Sequence, residues 1–222
     1  MHPEIVLPCL DEADALPTVL AGLPPGWPVL VVDNGSTDGT AEVARAFGAR
    51  VVTEPRRGYG AAVHAGLVAA RAELVAVLDG DGSLDPAVLP RMAAAVADGD
   101  ADLAVGRRVP QGGVVEGWGV WPWHARAGNA LVVAWLRYRI SLPAHDIAPM
   151  RVARRQALLD LGVRDRAFGY PVELLQRAVT AQWRFAEHDV TYHPRAEGTR
   201  SKVSGSVSGT LRTARDFARA LS

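Results

Sequence analysis

The chain of 222 residues is 49% apolar and 22% charged, which sets it among ordinary folded proteins and apart from disordered, collagen-like or low-complexity chains. That length suits one large domain, or one domain with a small appendage. Basic and acidic residues number 24 each, so the total charge gives no sign of a protein that coats nucleic acid through counterion release.

Short valine-rich runs alternate with longer segments of helical composition, which predicts crossover units and an α/β fold with a mainly parallel open sheet. Strands are predicted over Glu4–Pro8, Val29–Asp33, Arg50–Thr53, Leu74–Asp79 and Asp102–Gly106, and helices over Glu12–Gly22, Asp38–Phe47, Tyr59–Arg71 and Pro86–Ala97. Each helix has a proline, a small polar residue or an acid near its start to satisfy unpaired backbone donors. The regularity stops after Arg107. Pro110 to Trp123 is rich in Gly, Pro and Trp; helices follow over Ala125–Arg139 and Pro171–Ala181, then a strand pair within Phe185–His193. A polar stretch, Pro194–Gly209, and an amphipathic helix around Leu211–Leu221 end the chain, and this mixed C-terminal half is expected to cap the sheet. The longest apolar run, Ala130 to Leu136, is far short of the roughly 20 residues that span a bilayer, so any membrane contact is expected to be peripheral. Cys9 is the one cysteine, which excludes an internal disulfide and, with no signal pattern at the N-terminus, fits a cytoplasmic setting.

Charge is unevenly spread. Residues 1–110 carry 15 acidic and 8 basic side chains, and residues 111–222 carry 9 and 16. An acidic half suits a divalent cation and a basic half suits phosphates, unless folding interleaves the two. In open α/β sheets ligands bind beyond the carboxyl ends of the strands. Asp33 ends one such strand and opens Asp33-Asn-Gly-Ser-Thr-Asp-Gly-Thr40, which also reads as a helix-capping loop. Asp79-Gly-Asp81 ends another, and two carboxylates one glycine apart repel unless a cation or donors lie between them.

The ordered set Val6-Leu-Pro-Cys-Leu-Asp-Glu12, Val31 to Thr40, Gly58-Tyr-Gly60 with Gly66, Asp79-Gly-Asp81, Asp146-Ile-Ala-Pro-Met-Arg151, Gly169-Tyr-Pro-Val-Glu173, and Arg195 through Ser201-Lys-Val-Ser-Gly205 resembles the family 2 glycosyltransferases of GT-A fold, within them the dolichol-phosphate mannose synthase-like branch. The resemblance runs from Ile5 to about Gly209. It implies one GT-A domain, with a nucleotide-sugar and metal half over 1–107, an acceptor half over 108–205 and a C-terminal amphipathic helix over 206–222. The implied activity is inverting transfer of a sugar from a UDP- or GDP-linked donor to a polyprenyl phosphate or a small biosynthetic intermediate. By the same resemblance Pro8, Glu12, Asp33, Gly60 and Asp79 line the nucleotide-sugar site, Asp79 and Asp81 hold Mg²⁺ or Mn²⁺, and Arg195, Arg200 and Lys202 close over the diphosphate. Ser83 stands where that branch often has an amide-bearing residue beside the metal.

Asp146 and Glu173 compete for the role of general base, although an acceptor that is already an anion needs no strong one. Asp146 pairing with Arg151 is the structural alternative. Arg126, Asn129 and Arg151 are candidates for the acceptor site, and His145, His188 and His193 remain unassigned. Lys202 is the only lysine among 23 arginines, in a polar segment suited to folding over phosphate. Trp118, Trp121 and Trp123 suit an apolar acceptor or a membrane interface, or a loop folded under its own aromatics. Three rival readings stay open: a nucleotidyltransferase sharing the nucleotide half; a dinucleotide-binding oxidoreductase, for which Gly58-Tyr-Gly60 supplies two of three glycines; and a non-catalytic, metal-free interaction domain, against which Asp79 and Asp81 count.

Overall fold

In the computed structural model, which describes residues 2–110 and 123–193, the valine-rich runs form a seven-stranded sheet of order β3-β2-β1-β4-β6-β5-β7. The strands are β1 (Glu4–Cys9), β2 (Val29–Asp33), β3 (Arg50–Thr53), β4 (Leu74–Val77), β5 (Leu103–Pro110), β6 (Met150–Arg154) and β7 (Phe185–Tyr192). The helices are α1 (Leu16–Gly22), α2 (Thr40–Ala46), α3 (Tyr59–Ala69), α4 (Leu89–Ala97), α5 (Trp123–Ile140), α6 (Arg155–Asp160) and α7 (Tyr170–Thr180). β1 to β4 pair in parallel, and β1 and β4 are buried along nearly their whole length, as strands covered on both faces must be. β6 alone runs against its neighbours, β4 and β5, while β7 pairs in parallel with β5.

Each face of the sheet has its own core. Leu16, Ala44, Leu89 and Met92 bring α1, α2 and α4 onto one face, and Val63, Leu67, Leu136 and Leu175 bring α3, α5 and α7 onto the other. Pro8 lies inside a central strand without loss. Its amide would face β4, as the carbonyl of Val6 does, but the last residue of β1 paired with β4 is Val6, against Val77.

Several expectations need correction. The helix predicted from Glu12 begins at Leu16, because the amides of Asp11, Glu12 and Ala13 donate to Ser36 Oγ, Thr40 Oγ1 and Asp38 Oδ2 of the following loop. β5 runs on to Pro110, and the expected strand pair within 185–193 is one long strand beside it. The C-terminal half covers one face of the sheet with α5 and α7 and also enters the sheet itself: it inserts β6 between β4 and β5 and closes the edge with β7. This interleaving brings the acidic and basic halves into one layer. The expected polar stretch over 194–209 and the helix around 211–221 lie outside the described residues.

Candidate active site

The carboxyl ends of β1, β2 and β4 meet at one edge of the sheet. Cys9 ends β1 and is 1% exposed. Burial pushes its thiol well up in pKa, and the charges of Glu12, Asp33, Asp79 and Asp81 push it further. All four carboxylates therefore lie within electrostatic reach of Cys9. Gly80 sits directly over Cys9, and a Cβ there would lie 2.6 Å from Cys9 Sγ, so the residue between the two acids has no room for a side chain. Asp81 is buried, with Oδ1 accepting from Ser83 N at 3.0 Å, and Asp33 Oδ1 accepts from Ser36 N at 3.0 Å. Asn34 braces the rim: its Nδ2 donates to Glu54 O and Arg56 O at 2.9 and 2.8 Å, and its Oδ1 accepts from Gly58 N at 2.8 Å. The stretch after Asp33 thus builds the rim as well as leading into a helix.

Asp79 and Asp81 offer hard oxygen donors in a field that favours a cation. Among the described residues no three or more His, Cys, Asp or Glu form a metal-ligand group. A Mg²⁺ or Mn²⁺ held by these two acids fits the remaining chemistry, since such ions keep waters and take further ligands from a bound diphosphate. Ser83 and its neighbours also meet the end of β7: His193 N donates to Ser83 O at 2.9 Å, and Asp85 N to Thr191 O at 3.1 Å. The chain thus passes the acidic motif immediately before the segment of Arg195, Arg200 and Lys202, three residues that lie outside the described residues.

Arginines stand next to this rim. Asp146, 2% exposed, is held by Arg108 and not by Arg151: Arg108 Nε and a terminal nitrogen donate to it at 2.9 and 2.7 Å, and its backbone N at 3.0 Å. Burial acts to lower the Arg108 pKa, but Asp146 raises it by more, with Tyr192 and Asp79 adding to the effect. Asn129 Oδ1, on α5, accepts from Arg108 at 3.4 Å and from Ile147 N at 3.2 Å. Arg126 is half-buried one turn before Asn129. Arg151 points to the opposite face of the sheet. It is 2% exposed, donates to Tyr59 Oη at 3.4 Å, and leaves its buried Nε without a hydrogen-bond partner. Burial lifts the Tyr59 phenol well above its ordinary pKa against the lowering effect of Arg151, and Asp79 adds to the lift, which places all three within electrostatic reach.

Two candidates receive structural explanations. Glu173 accepts from Arg164 N at 3.0 Å, Asp165 N at 2.6 Å and Arg177 Nε at 2.6 Å; burial works to raise its pKa, but these donors hold it below the ordinary value. It anchors the loop before α7. Gly60 N donates to Ala167 O and Ala61 N to Arg166 O, so this loop fills the start of α3. The dinucleotide reading needs those amides for a pyrophosphate and loses its basis there. The unassigned His145 pairs with Glu187, Nδ1 to Oε2 at 2.7 Å. Arg108, Tyr59 and Asn34 are the site residues that sequence reading missed; extending β5 past Gly106 would have shown Arg108. A cleft of about 420 Å³ lined by Arg71, Glu73, Arg154 and Asp160 opens at the other end of β4 and β6, away from the acids, where Arg154 and Glu73 neutralise each other.

The seven-stranded, mainly parallel sheet flanked by helices is of the GT-A class of glycosyltransferase fold. The chain belongs to glycosyltransferase family 2, whose model, "Glycosyl transferase family 2", matches residues 4–160. It is 56% identical over 219 residues to an uncharacterized glycosyltransferase of Mycobacterium tuberculosis, covering 98% of this chain and 97% of that one. It is 33% identical to a polyprenol monophosphomannose synthase of Mycolicibacterium smegmatis, over 91% of this chain and 81% of the other. Among solved structures, glucosyl-3-phosphoglycerate synthase from Mycobacterium tuberculosis in complex with Mn²⁺, UDP and phosphoglyceric acid superposes with a TM-score of 0.76 at 22% identity, over 99% of this chain and 77% of that one, a likeness of fold.

Proposed function

We propose that the protein is a metal-dependent inverting hexosyltransferase that moves a sugar from a UDP- or GDP-linked donor to an anionic acceptor, with a polyprenyl phosphate as the preferred class. One observation carries this reading: Glu12, Asp33, Asp79 and Asp81 all lie within electrostatic reach of Cys9 at the end of β1, while Arg108, itself within reach of Asp79, and the buried, incompletely paired guanidinium of Arg151 supply positive charge on the two faces of the sheet. The first set suits a cation bridging a diphosphate and the second suits a second anion. Pro8, Glu12 and Asp33 line the nucleotide side, Arg195, Arg200 and Lys202 cover the diphosphate, and Arg126, Asn129 and Arg151 serve the acceptor. Both candidate bases are committed, Asp146 to Arg108 and Glu173 to its loop and Arg177, which favours an acceptor that arrives already ionised. Its phosphate oxygen attacks the anomeric carbon as the bond to the diphosphate breaks, and the nucleoside diphosphate leaves with the electron pair. The bound ion would neutralise charge on that leaving group. Relatives named for polyprenol phosphate support the acceptor class. Absence of a helix able to cross a membrane among the described residues is compatible with peripheral attachment at the cytoplasmic face.

The test is an assay of the full chain with UDP- and GDP-linked hexoses, offering polyprenyl phosphate or phosphoglyceric acid as acceptor, with Mn²⁺ or chelator. Transfer to the lipid phosphate with inverted anomeric configuration by NMR supports the reading; retention of configuration, or transfer only to the small acid, overturns it. Asp81→Ala is expected to lower turnover at least about a hundredfold, the scale of losing one preorganised electrostatic stabiliser. Near-normal activity of that variant in chelator would make the motif structural.

A further inference from the structure

Arg151 is the one arginine among the described residues whose exposure falls as low as 2%. β6 sets it opposite Val77 of β4 and Val105 of β5, so its side chain joins theirs on the face of the sheet that α3 and α7 cover. A guanidinium is rich in N–H donors, and a buried one is ordinarily matched by a carboxylate, as Arg108 is by Asp146. Arg151 is not. Among the described residues no carboxylate forms an ion pair with it; it donates to Tyr59 Oη at 3.4 Å, and its Nε has no partner.

Tyr59 is well fixed to hold that guanidinium. It opens α3 between two glycines whose amides are both engaged: Gly58 N donates to Asn34 Oδ1 at 2.8 Å, and Gly60 N to Ala167 O at 3.1 Å. Its ring meets that of Tyr170 edge-on, with centroids 6.4 Å apart and planes at 68°. Backbone and ring together set where the hydroxyl lies. Burial lifts the phenol far above its ordinary pKa, so at neutral pH it stays un-ionised. It therefore orients Arg151 and leaves the positive charge uncancelled, which a carboxylate in its place would not do. Because Asn34 also braces the rim beside Asp33, a single turn of chain joins the acidic rim to Arg151.

We propose that Tyr59 is a positioning residue for the transfer: its hydroxyl holds the Arg151 guanidinium in place for the acceptor's phosphate without neutralising it. The role rests on Arg151 serving the acceptor, as proposed above, and Tyr59 acts through Arg151 alone. A hydroxyl of that kind changes affinity for the acceptor and not for the nucleotide, and it has nothing left to do once Arg151 is replaced.

The experiment is calorimetry of the full chain with farnesyl phosphate, a short polyprenyl phosphate, and separately with UDP and GDP in Mn²⁺, on the wild type, Tyr59→Phe, Arg151→Gln and the double variant, beside melting temperatures. Tyr59→Phe keeps the ring against Tyr170 and loses only the hydroxyl. It is expected to weaken farnesyl phosphate binding roughly five- to tenfold while nucleotide affinity holds, and in the transfer assay to raise the acceptor KM with kcat within about twofold of wild type. Arg151→Gln should weaken binding by more, and the double variant should bind no worse than Arg151→Gln. If Arg151→Gln does not fold, Arg151→Lys, which keeps the charge and loses the planar fork, replaces it in the cycle. Farnesyl phosphate bound equally by wild type and the Arg151 variant, or not bound at all, removes Arg151 from the acceptor and the role of Tyr59 with it. Weakening by the Arg151 variant but not by Tyr59→Phe keeps Arg151 at the acceptor and overturns the role of Tyr59 alone. Additive losses in the double variant, nucleotide affinity falling in step, or a lower melting temperature of Tyr59→Phe with binding intact would overturn it equally.

Discussion

Arg108 and Asp146 form a closed pair in which neither charge is replaceable alone. The Arg108 side chain is 12% and that of Asp146 3% exposed. Removing one partner leaves the other charged and buried, which typically costs about 3–5 kcal/mol. Asp146→Ala should therefore lose stability on that scale in urea denaturation, and Arg108→Met with Asp146→Leu should recover most of it while leaving transfer impaired. A folded, stable Asp146→Ala enzyme that has lost only turnover would show a direct part in catalysis instead. Glu173 gives a prediction with a definite sign in pH. Its folded pKa lies below its unfolded one, so its contribution is complete at neutral pH and is lost as pH falls through the depressed folded value. Glu173→Gln should accordingly lower the melting temperature at pH 7 and flatten its acid dependence; a parallel drop at every pH would remove the titration from the account.

Among elements, the start of α3 shows how a motif residue can be structural. A Cβ on Gly60 would stand 2.5 Å from Asp165 O and 2.8 Å from Tyr170 Cβ, so helix and loop touch through backbone. Gly60→Ala should destabilise the fold by about 1–3 kcal/mol, the usual cost of overpacking, with nucleotide affinity measured by calorimetry unchanged once the folded fraction is counted. A loss of affinity without a loss of stability would return Gly60 to the nucleotide site. The same loop shows what the sequence could carry. β2 and β3 were legible to the residue because short valine runs flanked by turn residues have a single reading. The acids of the rim were legible because each lies in a local motif at a strand end. β6 was not, since Met150-Arg-Val-Ala-Arg154 is short and its pattern exists only between β4 and β5. Nor was the partner of Asp146, because Arg108 lies 38 residues away and meets it through the extension of β5. Glu173 looked like a base for the same reason: the amides that bind it are invisible in composition.

For the molecule as a whole, sheet order makes a specific statement about folding. β5 has as its neighbours β6 and β7, and β6 also separates it from β4. A fragment of residues 1–107 would therefore present β4 with an open edge and leave most of β5 with no partner at all, together with core side chains such as Val77 and Val105 that pack against residues from the second half. Unpaired edges and uncovered apolar faces favour aggregation over folding. The fragment should lack a cooperative melting transition, and the full chain should unfold in one transition whose calorimetric and van't Hoff enthalpies agree. This matters for function because the acidic rim and the Arg108–Asp146 side are then parts of one cooperative unit, so their spacing is fixed by the sheet and not by a hinge. Two transitions in the full chain, or a fragment that folds and binds nucleotide alone, would show the acidic half to be an independent unit and would require the Arg108–Asp146 side to move relative to it.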